Sequence, residues 1–492
     1  MKLPAAGSRG LAVVVVSAAC ARETTDDPVA TPAAASPDAE AGAPADPRPS
    51  LVLLTIDTLR ADHLSCYGYY RRTSPFIDSL AAESLLFERC YSTIPHTTPS
   101  HASILTGVLP LEHGITANNH DERVDRPTAR ALVTTPLLRS YAQILRERGW
   151  ATGGFVSATT AKRLTGLDAG FDAWSEPVGF ARAGRETLAE AKRWIAGRAG
   201  RPFFLWIHLF DVHGSSRHRR MFVKGSRYTA LFPEDPTVAA HLAKRGVTRE
   251  FPRRGYDLRS PSVTMNARYD VLIRRTDDLV AELVATLQAT GAWERTTFVL
   301  TSDHGEGLGE HDFVGHGLAW GEQLHVPLIV HVPGRSPARL PQVMSIVDIL
   351  PTVVDLSPGL PRDELLAQAT GASAVSDSFE ERPVFSMASS ERELALTTSR
   401  WKFVRRSDGD EALYDLREDP FELRDVKEDH EEIAASFAAR LDASLAEQRS
   451  RRAVLGAGGV EPTLSPEEER RLLEDLKELG YAGDDAPDDG DR

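Results

Sequence analysis

The sequence predicts a large α/β domain followed by a smaller α+β one, and three observations carry that expectation. Apolar or β-rich runs of strand length, Leu51 to Ile56, Phe203 to Leu209, Thr296 to Thr301 and Val326 to Val332, are spaced along the chain with helical patterns between them. Such runs suit strands buried on both faces of a parallel sheet, and alternation of strand and helix is the pattern of α/β domains. A length of 492 residues exceeds what one ordinary core organises. Towards the end the chain turns to short β-like pieces and one long helix, which suits a small antiparallel sheet with a helix against it.

Hydrophobic residues make up 41% of the chain and charged residues 26%, the proportions of a soluble globular protein. A net charge of -14 argues against general nucleic-acid binding, so no nucleic-acid partner is expected.

Lys2 and Arg9 precede an apolar run, Leu11 to Ala19, of signal-peptide length and too short to span a bilayer as a helix. Residues 1–20 therefore read as an export signal, directing the chain to the periplasm or cell envelope. Ser17-Ala18-Ala19-Cys20 resembles a bacterial lipoprotein processing site, which would leave Cys20 acylated and the chain anchored to a membrane. The usual Leu three residues before the Cys is absent, and ordinary cleavage at the small residues is the alternative. Residues 21–48 are rich in Ala, Pro, Asp, Glu and Thr and cannot bury enough surface to order themselves, so they read as a tether. Cys66 and Cys90 do not make a disulfide framework; reduced, buried thiols are the default, with one bridge left open.

Leu51 to Ile56 ends at Asp57, at the carboxyl end of a strand, where α/β sheets place their sites; a turn or cap role suits an isolated Asp equally. Thr73 to Phe87 has a Ser/Pro start and helical apolar spacing, which predicts a surface helix. In the stretch from Thr97 to Gly107, TTPSHASILTG, Thr97 or Thr98 can cap a helix with Pro99 in its first turn. A Gly- and Asn-rich loop to His120 follows. Leu137 to Arg148 is amphipathic, and Trp150 to Ser157 reads as a strand.

After a helix from Thr187 to Gly197, the strand Phe203 to Leu209 delivers His208, Asp211 and His213 to its end, although His208 reads equally as a core residue. Residues 214–262 carry eleven Lys/Arg against four acids, either a solvated insertion or a rim that draws in anions. A long helix spans Tyr269 to Leu287, and the run ending at Thr301 leads into Ser302-Asp303-His304-Gly305. Adjacent Asp and His after a strand are a stronger metal signal than either alone. The stretch from Ser345 to Leu356 reads as a helix, residues 362–382 as a boundary, and residues 463–480 as an acidic helix. The organisation expected is 49–375 for the large domain, 376–455 for the sheet plus helix, and 456–492 for a helical acidic tail.

Five stretches, DTLRADHLSCYGY, TTPSHASILTG with HGITANN, FFLWIHLFDVHG, TSDHGEGLGEH and WKFV…LYDLREDPFE, resemble the sulfatase branch of the alkaline phosphatase superfamily, in that family's order over residues 50 to about 450. The resemblance implies a large mixed β-sheet flanked by helices, a smaller C-terminal domain with a four-stranded sheet, and hydrolysis of small anionic esters. Sulfatases use a Cys or Ser oxidised to formylglycine. Here that position is Thr97 and the motif's Arg is His101, so no formylglycine is expected. The stretch is instead similar to superfamily members that use Thr directly, and the Asn that holds a phosphoryl oxygen in one such group falls at Asn118.

The metal set implied is Asp57, Thr97, Asp303 and His304, holding one divalent ion. His304 moves preference toward zinc or manganese, with calcium also compatible. His213 and His316 fall where the family contacts the transferred group and the anion, which makes them candidate catalytic residues with Thr97. Asn118, His101 and Asp211 are candidate substrate-binding residues. The function expected is an exported, metal-dependent hydrolase of sulfate, phosphate or phosphonate esters, with phosphorus esters favoured by the Thr. The alternatives are transfer of the group to a lipid or glycan acceptor, and a silent anion-binding homologue.

Overall fold

The computed structural model describes residues 46–118, 131–198, 200–213, 227–232, 236–247 and 262–457, together with Glu467, Arg470 and Glu474. The export signal with Cys20, the tether, most of the basic stretch, Asn119 and His120, and most of the acidic tail lie outside the described residues. Among the described residues no helix is long and apolar enough to cross a membrane. Cys66 and Cys90 are both free thiols.

The strands in chain order are β1 (Ser50–Ile56), β2 (Leu85–Tyr91), β3 (Ala151–Val156), β4 (Ala173–Ser175), β5 (Phe203–Leu209), β6 (Thr296–Thr301), β7 (Gly307–Leu308), β8 (Val314–Gly315), β9 (His325–His331), β10 (Ala338–Ser345), β11 (Val384–Met387), β12 (Glu393–Thr397), β13 (Trp401–Arg406) and β14 (Glu411–Asp415). Eight of them form one mixed sheet in the order β10-β2-β9-β6-β1-β5-β3-β4, and β11 to β14 form a separate four-stranded antiparallel sheet. Only β9 runs against the rest of the large sheet, pairing antiparallel with both β2 and β6.

The side-chain period of two sorts β1 between two cores. Leu51 and Leu53 enter one apolar cluster, and Val52, Leu54 and Ile56 enter the other. Helices cover both faces. On the first lie α2 (Thr97–Thr106) and α4 (Tyr141–Glu147), which follow α1 (Pro75–Ala82) and α3 (Pro110–His113) in the chain. On the second lie α1, α5 (Gly184–Ala196) and the helix Ser262–Ala289. A third cluster joins the small sheet to the helix Glu431–Leu455 and to Ile94, Leu109, Leu111 and Val347.

Two expectations change, and two further elements lie where the sequence carries no strand or helix signal. The helix expected over Thr73 to Phe87 stops at Ala82, and Leu85 to Tyr91 is strand β2, because that apolar stretch pairs with β9 and β10. The loop after Gly107 contains the short helix α3. The stretch before Ser345 is the edge strand β10, whose first half is largely exposed and carries no apolar signal. The boundary region includes a helical turn, Arg362–Leu366.

Candidate active site

β1 lies between β5 and β6, with Thr55 level with His208 on one side and Thr301 on the other. Three parallel strands therefore end together, and Asp57, His208 and the Asp303 loop meet at their carboxyl ends, where such sheets place their sites. Thr97 opens α2 there, and Ser100 Oγ ties that helix to Asp303 O at 2.6 Å.

Asp57, Asp303 and His304 are fully buried. Thr97 Oγ1 donates to Asp57 Oδ2 at 3.4 Å, and His208 Nε2 lies 3.2 Å from the same oxygen. Asp303 Oδ1 accepts from Thr58 N at 3.2 Å and His304 N at 2.9 Å. His304 donates its Nδ1–H to Gly305 O at 2.9 Å, which turns Nε2 inward as a lone pair. Asp57 Oδ1, Asp303 Oδ2 and His304 Nε2 have no hydrogen-bond partner, although buried polar atoms rarely lack one. One ligand atom from each of these residues lies within 4.8 Å of the others. Two carboxylates and a neutral imidazole with idle buried atoms fit a divalent cation. His101, His208 and Asp303 form an overlapping group of the same kind.

Burial raises Asp57 well above the usual carboxylate range, and the charges of Asp303 and Glu306 add to it. Burial acts the same way on Asp303, but the His304, His101 and His208 rings and the His304 N–H outweigh it and hold that carboxyl down to about 2. Burial also lowers His304 to about 4 and His208 to about 3. Those rings are neutral at pH 7, so the N–H bonds onto Oδ1 are the lasting part of Asp303's stabilisation.

Asn118 Oδ1 accepts from Thr98 N at 2.9 Å, while its Nδ2 has no partner. The expected caps change accordingly. Thr97 is already the first helical residue, His96 at the cap position makes no side-chain cap bond, and Thr98 Oγ1 donates to Thr160 O at 2.6 Å. The cap of α2 comes instead from Asn118, twenty residues beyond Thr98. His213 and His316 come together, Nε2 to Nε2 at 3.3 Å.

Two expected substrate-binding residues are occupied otherwise. His101 donates Nδ1–H to Thr97 O at 2.8 Å and meets Thr55 Oγ1 through Nε2 at 2.9 Å, so both ring nitrogens brace the Thr97 turn against β1. Asp211 turns to α5, accepting Gly184 N at 2.7 Å, and burial pushes its carboxyl up to about 6.

Sequence reasoning missed several contributors. His208 reads equally as a core residue, and only its register beside Thr55 reveals the contact with Asp57. Arg60 is fully buried and joins the two ligand loops, donating Nη1–H to Glu306 O at 2.9 Å, while Leu59 N is held by Ser302 Oγ at 2.9 Å. His96, beside Thr97, is 8% exposed and has no hydrogen-bond partner on either ring nitrogen. Its adjacency to Thr97 is the one sequence signal that could have found it.

The Sulfatase family model matches residues 49–360. Arylsulfatase K of Mus musculus is 23% identical over 452 residues, covering 80% of this chain and 78% of its own length. The multifunctional alkaline phosphatase superfamily protein PehA of Trinickia caryophylli is 23% identical over 392 residues, covering 63% and 73%. The solved phosphonate monoester hydrolase of Agrobacterium radiobacter superposes with a TM-score of 0.61 at 20% identity, over 82% of this chain and 96% of that one. With the family model matched over most of the large domain, the chain belongs to the sulfatase family and is an ester hydrolase of the alkaline phosphatase superfamily.

Proposed function

We propose that the protein is an exported, metal-dependent hydrolase in which the hydroxyl of Thr97 attacks a phosphate, phosphonate or sulfate ester. The observation that carries this is the hydrogen bond of Thr97 Oγ1 to Asp57 Oδ2, inside a buried group with three idle ligand atoms. Asp57, Asp303 and His304, with Thr97 Oγ1, would hold one divalent ion, and imidazole among the donors favours zinc or manganese over calcium. That ion supplies Lewis acidity to the ester and lowers the pKa of the hydroxyl.

The chain's own residues account for the rest. Thr97 releases its proton along the existing bond to Asp57 as its oxygen bonds to phosphorus or sulfur, and the bond to the leaving oxygen breaks. The idle Nδ2 of Asn118 would donate to a non-bridging oxygen as it gathers charge. The His213–His316 pair supplies a proton to the leaving oxygen. Water then cleaves the Thr97 ester and restores the hydroxyl.

Thr in place of Cys or Ser closes the formylglycine route and favours phosphorus esters. The phosphonate monoester hydrolase neighbour and the PehA relative are consistent with that preference. The test is a panel of aryl sulfate, phosphate monoester, phosphodiester and phosphonate substrates with metal-reconstituted protein, alongside Thr97→Ala. Turnover should fall by at least about a thousandfold, as for a lost nucleophile. Full turnover in Thr97→Ala would overturn the mechanism. Export through residues 1–20 is checked by fractionation, and lipid-precursor labelling of Cys20 separates anchored from freely cleaved forms. The domain limits 49–375, 376–455 and 456–492 are checked by limited proteolysis, which should cut between them first.

A further inference from the structure

We propose that His96 is a specificity-determining residue that hydrogen-bonds a hydroxyl on the alcohol side of the ester, so that the substrates are esters of polyhydroxy alcohols. The inference rests on the reading of Thr97 as the nucleophile, and the test separates the two.

His96 directly precedes Thr97 and is 8% exposed. Its backbone is fixed, with N donating to Ile94 O at 2.9 Å and O accepting from Ser100 N at 3.1 Å. Its ring is left unsatisfied, since neither Nδ1 nor Nε2 has a hydrogen-bond partner among the described residues. A buried polar group without a partner costs free energy, and a ligand that supplies one recovers it. Gly317, at φ 135, presents no side chain to the ring; a Cβ there would stand 3.5 Å from Nε2.

His96 lies on the leaving-group side. Its ring meets that of His316 edge-on with centroids 5.5 Å apart, and His316 pairs with His213 where the proposed mechanism protonates the leaving oxygen. The small sheet closes that side. Met387 N donates to Thr93 O at 2.9 Å and Ala319 N to Glu393 Oε2 at 2.8 Å, so the turn between β11 and β12 is fastened to the segment leading to His96 and to the one leaving His316.

Burial holds the His96 ring well below the usual imidazole range, and His316, His304 and Arg392 act in the same direction. A neutral imidazole carries one N–H donor and one lone pair. A hydroxyl both accepts and donates, so it matches either nitrogen in either tautomer, whereas an alkyl or aryl group leaves both unpaired. A site that hydrogen-bonds a substrate hydroxyl discriminates against the analogue lacking it, because its own buried polar groups are then stranded.

Metal-reconstituted full-length protein is titrated calorimetrically with two phosphonates that have no ester bond to cleave, dihydroxypropyl phosphonate and propyl phosphonate. The wild type should bind the dihydroxy compound about ten- to a hundredfold more tightly, the span set by leaving a buried polar group unpaired. His96→Ala and His96→Phe should bind the two equally, and Thr97→Ala should keep the preference while losing turnover. Equal binding of the two by the wild type, or binding of neither, overturns the role of His96, as does a preference that persists in both His96 variants. A Thr97→Ala protein that keeps both the preference and full turnover overturns the nucleophile instead and leaves His96 standing. Should neither His96 variant fold, nitrogen NMR of labelled histidine in the wild type decides: a His96 ring signal that moves with the dihydroxy compound and not with the propyl one supports the role, and identical spectra refute it.

Discussion

At the scale of single residues, the site turns on atoms left idle by everything around them. Asn118 shows this best, because one half of its amide is committed to Thr98 N and the other half to nothing. Removing it separates capping from chemistry. Asn118→Ala should lower kcat by about 10²–10³, the usual cost of one oxyanion donor. The loss of a helix cap should destabilise the fold by only about 1 kcal/mol. Steady-state kinetics together with a thermal melt reads both, and an unchanged kcat would remove Asn118 from the site. Each of Thr97, Asp57, Asp303 and His304 sits where an apolar run stops or a helix starts, the resemblance to sulfatases groups the four, and the structure brings ligand atoms of Asp57, Asp303 and His304 within 4.8 Å of one another. His101 and Asp211 carried the right chemistry in the right stretches, but their hydrogen-bond partners, Thr55 and Gly184, come from distant segments that no local pattern announces.

At the scale of elements, strands buried on both faces declared themselves and marginal ones did not. β1 and β5 are largely apolar and β6 sets Phe298, Val299 and Leu300 between strand-favouring threonines, and all three are buried at every position. β2 follows α1 after a two-residue break, so its apolar residues merge with the helical pattern until β9 and β10 pair with them. The turn at Gly107 closes α2 with φ 73, and a Cβ there would meet the Tyr141 hydroxyl, so sterics and backbone both require glycine.

The start of α1 carries a pH prediction. Asp277, from the helix Ser262–Ala289, accepts from Phe76 N at 3.0 Å and Ile77 N at 2.8 Å, and burial pushes its carboxyl from 3.8 up to about 6. The folded state therefore binds this proton more tightly than the unfolded one. The stability it contributes is full below about pH 4 and lost as pH rises through about 6. In Asp277→Asn that dependence is gone, so the melting temperature of the variant relative to wild type should rise between pH 4 and pH 7. A difference independent of pH would refute the assignment.

At the scale of the whole molecule, buried ion pairs link the site to the rest of the chain. Arg60 pairs with Asp62 at 2.9 Å and Glu310 at 3.0 Å, and Arg245, from the segment after β5, reaches the same Asp62 at 2.5 Å and lies over Phe421 at 4.8 Å. In the C-terminal region Lys402 and Glu422 pair at 2.6 Å with side chains 2% and 4% exposed, and Glu422 also accepts Gly321 N at 3.3 Å. Removing one partner leaves a buried charge, so Lys402→Ala should lower unfolding free energy by about 3–5 kcal/mol. Replacing both partners by apolar residues of similar volume should cost much less. Denaturant titration of the single and double variants checks this, and a single variant near wild-type stability would refute it. Taken alone, the sequence determined the α/β class, the order of the motif-bearing stretches and the Thr at position 97, because apolar periodicity and side-chain chemistry are local properties. The tertiary structure decided which histidines face the ligand atoms, where the helix cap comes from and which charges are buried together, because those depend on strand register and on contacts between segments hundreds of residues apart.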